Sequence, residues 1–236
     1  MKILAIDSTA KTATVSICEN ERLISIYSVT AGLNHSETLL PMVENALKTA
    51  QMTIDDIDLF AISDGPGSFT GVRIGVSLLK GLAFGKQKIC VGVSTLESLA
   101  YNLKDFDGVI CPVMDARRDQ VYNALFMAEN GKFTRLTEDR AIALNELENE
   151  LKSLVGDGKK VYLCGDGYEV TEKNTDFVYA NTPVLLREQN AYSVAQCALN
   201  KYNADPRRDY SDRNLTPTYL RVPQAERERL ERMNNN

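Results

Sequence analysis

The sequence has few of the residues that build metal and hydrolytic sites. Its 236 residues include one histidine, His35, and no tryptophan. A zinc peptidase of the His-Glu-x-x-His type needs two histidines on one helix, so we expect neither peptidase activity nor a metal site. His35 opens a helical segment, where we expect it to cap the helix or contact a partner. The five cysteines are an odd, scattered set without a Cys-x-x-Cys pair, which indicates reduced core thiols.

Long apolar runs are also missing. The longest, such as residues 109–114, are far shorter than the ~18 residues that a membrane-spanning helix needs. The N-terminal segment turns polar at Asp7, which is too early for a secretory signal. We therefore expect a cytoplasmic chain that makes no use of a membrane.

The charge gives no broad positive field for nucleic acid, since the formal net charge is -5. The sign is uneven, because the segment from Pro206 onward holds seven arginines and five acidic residues. We interpret this segment as a solvated arm, and a direct contact with nucleic acid is the alternative.

The N-terminal half predicts an α/β arrangement that begins with an antiparallel meander. Short Ile- and Val-rich segments separated by polar turns predict three strands, at 3–6, 13–17 and 23–29. Apolar residues at helical spacing then predict a helix ending near residue 50, with Asn34 or Ser36 as the N-cap. Two further pairs follow, with strands at 58–63 and 88–93 and helices at 70–84 and 94–103, the last starting with a capping box of Ser94 and Glu97.

The same order then begins again. After residue 108 the sequence predicts a second three-stranded meander, with a turn at Asn130-Gly131. A helix, a strand and a helix complete this half, at 145–155, 159–165 and 191–204. We therefore divide the chain into an N-terminal half (1–105), a C-terminal half (106–205) and a basic, partly disordered tail (206–236).

Each half places an acidic residue between its first two strands, at Asp7 and at Asp115. In duplicated α/β ATPases such turns hold nucleotide phosphates and a hydrated Mg²⁺, chemistry that Asp7, Ser8, Thr9 and Asp115 could supply. The alternative is that these residues only cap turns. Neither turn contains the glycine that a close approach to phosphate usually requires, so we expect a vestigial site.

A glycine-rich stretch follows the fourth predicted strand, with the sequence Ser63-Asp-Gly-Pro-Gly-Ser-Phe-Thr-Gly. Its spacing fits neither a Walker loop nor a Rossmann fingerprint. Gly71 and Gly75 lie four apart on the next helix, where each costs about 0.5 to 1 kcal/mol relative to Ala. A close approach of another backbone would offset that cost. Because apolar residues surround this helix on nearly all sides, we expect an interface with another protein, and packing inside the chain is the alternative.

Five motifs taken together resemble one known family. The stretch 64–84, the segments Ala5-Ile-Asp-Ser-Thr-Ala and Asn34-His-Ser-Glu-Thr-Leu-Leu-Pro, and two later motifs at 114–122 and 217–221 are similar to the TsaB (YeaZ) family. The resemblance implies a duplicated actin/hexokinase-like (ASKHA, RNase H-like) α/β fold, with a mixed sheet and helices in each half. It also implies a cytoplasmic, non-catalytic scaffold for TsaD, the transferase that makes N6-threonylcarbamoyladenosine in tRNA next to the anticodon.

The resemblance also implies partners and contact residues. TsaD would form a heterodimer with the two helices of the N-terminal half, TsaE would join the complex, and tRNA would be reached through it. Without TsaD the same apolar face should self-associate, so we expect a homodimer of the isolated chain. The chain would have no cofactor of its own, and ATP or ADP would bind at the interface of the heterodimer. The alternative function is an ATP-dependent phosphotransferase or ATPase of the same superfold. The expected contact residues are Leu39, Leu40, Val43, Leu47, Gly71, Val72, Gly75, Val76 and Leu79.

Overall fold

The first three strands form the predicted meander, and two parallel strands extend it. The computed structural model describes residues 1–156 and 158–221 of the chain. In the first sheet the strand order is β3-β2-β1-β4-β5, with β1 to β3 antiparallel and β4 and β5 parallel to β1. The strands are β1 (Lys2–Asp7), β2 (Ala13–Glu19), β3 (Arg22–Val29), β4 (Leu59–Gly65) and β5 (Ile89–Ser94).

The second sheet repeats the meander in shorter pieces. Its hydrogen-bonded order is β10-β7-β6-β8-β9, and β11 pairs with β6 in parallel. The strands are β6 (Gly108–Asp115), β7 (Gln120–Asn123), β8 (Phe126–Glu129), β9 (Lys132–Arg135), β10 (Arg140–Ala143) and β11 (Val161–Cys164).

β7 and β8 are two parts of one long strand. Both pair with β6 in the same register, with Asn123 opposite Val113 and Phe126 opposite Ile110. The gap between them falls opposite Pro112, which has no N–H to donate to the ladder. The Asn123 side chain donates instead to the Pro112 carbonyl, at 3.0 Å. The second meander is therefore the predicted one, interrupted by a proline.

Within residues 1–156 and 158–221, six helices cover the sheets, and the caps of two of them test the sequence predictions. Asn34 caps the first helix by accepting a hydrogen bond from the Ser36 N–H, as predicted. Ser94 accepts from the Glu97 N–H at the start of α3, but the Glu97 carboxylate pairs with Arg135, so the expected reciprocal capping box is not formed. The helices are α1 (His35–Thr49), α2 (Phe69–Ala83), α3 (Thr95–Tyr101), α4 (Leu144–Val155), α5 (Tyr168–Lys173) and α6 (Ala191–Ala204).

Strands β1, β2, β4 and β5 of the first sheet are buried on both faces, whereas the outer strand β3 is partly exposed. Successive residues of a strand point to opposite sides, so each buried strand contributes to two cores. Leu4 and Ile6 pack in one core with residues of α1 and α2. Ile3 and Ala5 face the other way and pack in a second core with α6. Near-continuous apolar strands of this kind are typical of sheets covered on both faces.

The helices do not follow the predicted boundary between the halves. The division at 105/106 does separate the two sheets. However, α3 precedes it and packs in a core with β6 and β8, whereas α6 follows it and packs on the first sheet. These two cores therefore contain residues from both sides of the predicted boundary, whereas the core formed by α4 with β6 and β11 lies wholly within the C-terminal half.

Residues 205–221, here called the strap, return from α6 to the first sheet. The Tyr210 carbonyl accepts from the Cys90 N–H at the edge of β5, and Leu215 is buried in the core with α1 and α2. Arg221 donates to the Ala116 carbonyl after β6, at 2.7 Å. The first part of the predicted tail is thus packed against the protein, which corrects its interpretation as a solvated arm, and residues 222–236 lie outside the described part.

In the part of the chain that the structure describes, no helix is both long and apolar enough to span a membrane.

Candidate functional site

Asp7 lies at the end of β1 and is fully buried. One carboxylate oxygen accepts from the Thr9 N–H at 2.9 Å and from the Thr9 hydroxyl at 2.7 Å. The other accepts from the Ser63 hydroxyl at 2.6 Å. Burial raises the pKa of the Asp7 carboxyl above its usual range, and the hydrogen bonds from Ser63 and Thr9 oppose that rise. Both oxygens are therefore engaged by the protein itself.

The glycine stretch forms hydrogen bonds with the rest of the β1–β2 turn and covers it. The Ser8 hydroxyl donates to the Gly71 carbonyl at 2.9 Å, and the Thr9 carbonyl accepts from the Ser68 N–H at 2.7 Å. Ser8 and Thr9 are buried as completely as Asp7. The predicted phosphate-loop positions Asp7, Ser8 and Thr9 thus come together, but their polar groups bind residues of the same chain.

Three glycines allow the glycine stretch and α2 to lie close to the β1–β2 turn. A Cβ atom at Gly67 would lie 2.5 Å from the Thr9 carbonyl oxygen, and one at Gly71 would lie 2.1 Å from the Ser8 carbonyl oxygen. A Cβ atom at Gly75 would lie 2.4 Å from the Ser8 hydroxyl. Real Cβ atoms do not come this close, so these positions require glycine. The close approach is made within the chain, which corrects the interpretation of Gly71 and Gly75 as contacts for another protein.

The structure also corrects most of the other predicted contact residues. Seven of the nine are buried in their own subunit, because they fill the core between the first sheet and the α1–α2 pair. The five apolar side chains pack against other residues of the chain, and the two glycines lie against Ser8. The seven are Leu39, Val43, Gly71, Val72, Gly75, Val76 and Leu79.

Leu40 and Leu47 are different, since they face outward on α1. Leu40 is 43% exposed and Leu47 is half-buried. On the adjacent α2, Ile74, Leu78 and Leu82 recur every four residues on one half-buried side, and Phe84 at its end is 78% exposed. We call these six residues the α1–α2 strip. The four on α2 were not predicted as contacts, because apolar residues nearly surround that helix in sequence and only the fold separates the inner from the outer set.

His35 connects the start of α1 to the β1–β2 turn. Its Nε2 lies 2.7 Å from the Ala10 carbonyl oxygen, to which it donates. Its Nδ1 is buried without a partner among the described residues. Asn34 provides the cap, so His35 is a packing residue that holds α1 against this turn.

Asp115 has the role of a turn cap. It is exposed at the end of β6, and its carboxylate accepts from the Arg117 N–H at 2.7 Å. The turn continues through three consecutive non-glycine residues with positive φ: Arg117, Arg118 and Asp119. Asp115 shares none of the hydrogen-bond partners of Asp7, and its geometry agrees with the capping alternative.

Over residues 1–156 and 158–221, no group of three or more His, Cys, Asp or Glu side chains is placed to hold a metal ion.

The comparisons with known proteins match two families, TsaD and TsaB, that are both named for threonylcarbamoyladenosine in tRNA. Residues 26–227 match the family model described as "TsaD: tRNA N6-adenosine threonylcarbamoyltransferase". The chain is 38% identical over 152 residues to the tRNA threonylcarbamoyladenosine biosynthesis protein TsaB of Bacillus subtilis, covering 64% of this chain and 66% of that protein. It is 31% identical over 189 residues to the TsaB protein of Escherichia coli, covering 79% and 81%. The chain belongs to the TsaB family.

Solved structures confirm the fold. YeaZ from Pseudomonas aeruginosa superposes with a TM-score of 0.76 at 23% identity, over 93% of this chain and 99% of that chain. Component A of the (R)-2-hydroxyglutaryl-CoA dehydratase of Acidaminococcus fermentans superposes with a TM-score of 0.51 at 13% identity, over 86% and 99%. The TsaB-family chain thus has the predicted duplicated actin/hexokinase-like (ASKHA) fold, and its family is named for the biosynthesis of threonylcarbamoyladenosine in tRNA.

Proposed function

We propose that the chain is a non-catalytic partner of a TsaD-type threonylcarbamoyltransferase and is required for N6-threonylcarbamoyladenosine formation in tRNA next to the anticodon. It would bind the transferase as a heterodimer, TsaE would join the complex, and tRNA would be reached through that complex. The match to both the TsaD family model and named TsaB proteins supports this, because the model is described as the threonylcarbamoyltransferase and the relatives are named for the biosynthesis of the same modification.

The observation that carries the proposal is the α1–α2 strip. Leu40 and Phe84 expose large apolar side chains, and Ile74, Leu78 and Leu82 are half-buried and pack against the core with α1 and α2. Apolar surface on two adjacent helices is what helix-to-helix association buries. The contact surface is therefore the outer side of α1 and α2, while the glycines shape the inner side.

The occupied β1–β2 turn supports a role without phosphate transfer. Asp7, Ser8 and Thr9 bind their own chain, so this turn offers no free hydroxyl or carboxylate to a nucleotide phosphate or to Mg²⁺. ATP or ADP held by the assembly would then lie at the seam with the transferase. No observation favours the phosphotransferase alternative, and we do not propose it.

The test is co-expression of the chain with a TsaD protein, followed by affinity capture and size exclusion. Leu82→Arg places a charge in the strip, and we expect at least a tenfold loss of captured TsaD together with loss of the tRNA modification, because an unpaired charge in an apolar interface is costly. The matched control is Leu154→Arg, which changes a leucine that is 40% exposed on α4. It should leave the complex intact.

The isolated chain provides a second readout of the same surface. We expect a homodimer in sedimentation experiments, and a monomer for Leu82→Arg. Normal TsaD capture and tRNA modification by a folded Leu82→Arg protein would refute the assignment of the strip.

A further inference from the structure

A polar cavity of about 240 Å³ lies between the strap, the C-terminal end of α6 and the edge of the first sheet. It is separate from both the β1–β2 turn and the α1–α2 strip, sharing no residue with either. Its lining is mainly hydroxyl, amide and charged groups. The residues are Asp64, Cys90, Gly92, Lys201, Arg208, Asp209, Tyr210, Ser211, Asn214, Leu215, Thr216 and Thr218.

Two cations line this cavity with unused hydrogen-bond donors. The Lys201 ammonium donates to the Gly92 carbonyl at 2.6 Å, and among the described residues its other two N–H groups have no acceptor. The Arg208 guanidinium lies 5.9 Å from the Tyr210 ring centre, and among the described residues it makes no hydrogen bond or ion pair. A lysine and an arginine with available donors, beside several hydroxyl groups, provide the chemistry that binds phosphate.

Two acidic residues line the cavity, Asp64 and Asp209, and the Asp209 carboxylate accepts a hydrogen bond from the Ser211 N–H at 2.9 Å. The Asp64 carboxylate packs against Gly92, where a Cβ atom would lie 2.1 Å from an Asp64 oxygen. Among the described residues, no other side chain or backbone N–H than its own donates a hydrogen bond to the Asp64 carboxylate, and this carboxylate forms no ion pair there. The charged groups that face it are Lys201 on α6, Arg208 on the strap and Asp139 before β10.

Burial raises the pKa of Asp64 to about 7, and the positive charge of Lys201 opposes that rise. The cavity therefore changes its charge near neutral pH. With Asp64 ionised, its carboxylate repels an incoming anion, and with Asp64 protonated, the same group can donate a hydrogen bond.

We propose that this cavity binds the phosphate group of a small anionic ligand through Lys201 and Arg208, with Asp64 protonated in the bound state. Above neutral pH binding takes up a proton at the Asp64 carboxyl, whereas at pH 6 most of this group is already protonated and little uptake accompanies binding. The site is independent of the proposed partner role, so each can fail without the other.

The first experiment measures oxyanion binding to the full chain by calorimetry at low ionic strength. Sulfate is the probe for the pH series, because its charge is constant between about pH 6 and pH 8. We expect binding to be about tenfold weaker at pH 8 than at pH 6, since the protonated fraction of Asp64 falls by about that factor across a pKa of about 7. Binding that does not change with pH would overturn the role of Asp64.

The second experiment uses variants whose folding is verified by thermal unfolding. Arg208→Gln and Lys201→Gln should each weaken sulfate and phosphate binding at least tenfold, and Lys201→Arg should restore most of it. The matched control is Arg207→Gln, because Arg207 is the adjacent exposed arginine and does not line the cavity. Equal losses in Arg207→Gln and Arg208→Gln would mean non-specific attraction and would overturn the proposal.

The variant Asp64→Asn tests whether the cavity binds a phosphate or a zwitterionic ligand. We expect this variant to bind sulfate at pH 8 as tightly as the unchanged chain does at pH 6, with no pH dependence. Weaker binding in Asp64→Asn would show that the carboxylate pairs with a positive group of the ligand, and the phosphate proposal would then be wrong. Comparison of inorganic phosphate with glycerol phosphate distinguishes a free ion from a phosphate ester as the occupant, and failure of both to bind would overturn the proposal.

Discussion

Glycines of one helix have different roles at the residue scale. Gly71 and Gly75 lie on the inner side of α2, against Ser8, whereas Gly81 lies on the outer side with open space around its Cα. The sequence alone predicts the same helix cost for all three. Only the position of the β1–β2 turn shows which of them are required.

Substitution by alanine should therefore have opposite effects at Gly71 and at Gly81. Gly71→Ala places a methyl group against the Ser8 carbonyl oxygen, and we expect a loss of about 1 to 3 kcal/mol in the free energy of unfolding. Gly81→Ala meets nothing, and we expect a gain of roughly 0.5 to 1 kcal/mol from the better helix propensity. Urea denaturation measures both. A stabilising Gly71→Ala would contradict the packing described for this turn.

Asp64 links stability to pH. Its folded-state pKa of about 7 lies above the ordinary value, so between about pH 4 and pH 7 the folded chain binds more protons at this group than the unfolded chain does. This group therefore stabilises the fold less as pH rises through that window. We expect Asp64→Asn to be more thermally stable than the unchanged chain at pH 8, by a few degrees, and this advantage to shrink towards pH 4. Melting curves of both proteins across that pH range measure this difference. A stability advantage of Asp64→Asn that grows towards acid pH would contradict the prediction.

The element scale shows how far local sequence signals reach. Helices α1, α2 and α6 were predicted to within about two residues, because each has a cap and a continuous apolar periodicity. α5 and the strap were not predicted, since α5 has only one helical turn and a half and the strap has no regular spacing of apolar residues. The strap is ordered by long-range contacts that no local pattern records, such as Thr218 N–H to the Asp64 carbonyl at 2.7 Å.

The candidate site was predicted in part for a similar reason. Asp7, Ser8 and Thr9 were identified by their residue types at the end of a strand, and the fold does bring them together. Their occupation by the glycine stretch depends on contacts between residues more than fifty positions apart, as between Ser8 and Gly71. The inner and outer sides of α2 could not be separated either, because its apolar residues nearly encircle it in sequence.

Leu215 should be the main hydrophobic anchor of the strap. It is buried in the core with α1 and α2, and its carbonyl accepts from the Lys80 ammonium at 3.1 Å. We expect Leu215→Ala to lower the free energy of unfolding by about 2 to 4 kcal/mol, as for other buried leucines. Leu136→Ala, at a leucine that is 41% exposed, is the control and should change it by less than about 1 kcal/mol. Equal effects of the two changes would argue against the strap as an integral part of the core.

At the scale of the whole molecule, the two halves share their helices. α6 supplies Val194, Ala195 and Ala198 to the core on one face of the first sheet, and α3 supplies Leu96 and Leu99 to a core of the second sheet. The two sheets are thus separate, but neither core is complete within its own half of the sequence.

A fragment of residues 1–105 should therefore fail to fold. Without α6 and the strap, the face of the first sheet with Ile3, Ala5 and Leu59 has nothing to cover it. We expect this fragment to be aggregated or to lack dispersed amide signals in NMR spectra, whereas residues 1–221 should give the spectrum of the folded chain. A cooperative unfolding transition in the short fragment would contradict the shared cores.

The return of α6 and the strap to the first sheet has a consequence for synthesis on the ribosome. The strands of that sheet emerge first, yet the helix that covers one of their faces is translated about a hundred residues after β5. Until then the apolar residues of these strands that pack on α6 have no cover in the nascent chain. Such a chain should depend on chaperones that shield nascent β-structure, and its yield should respond to the rate of translation through residues 191–221.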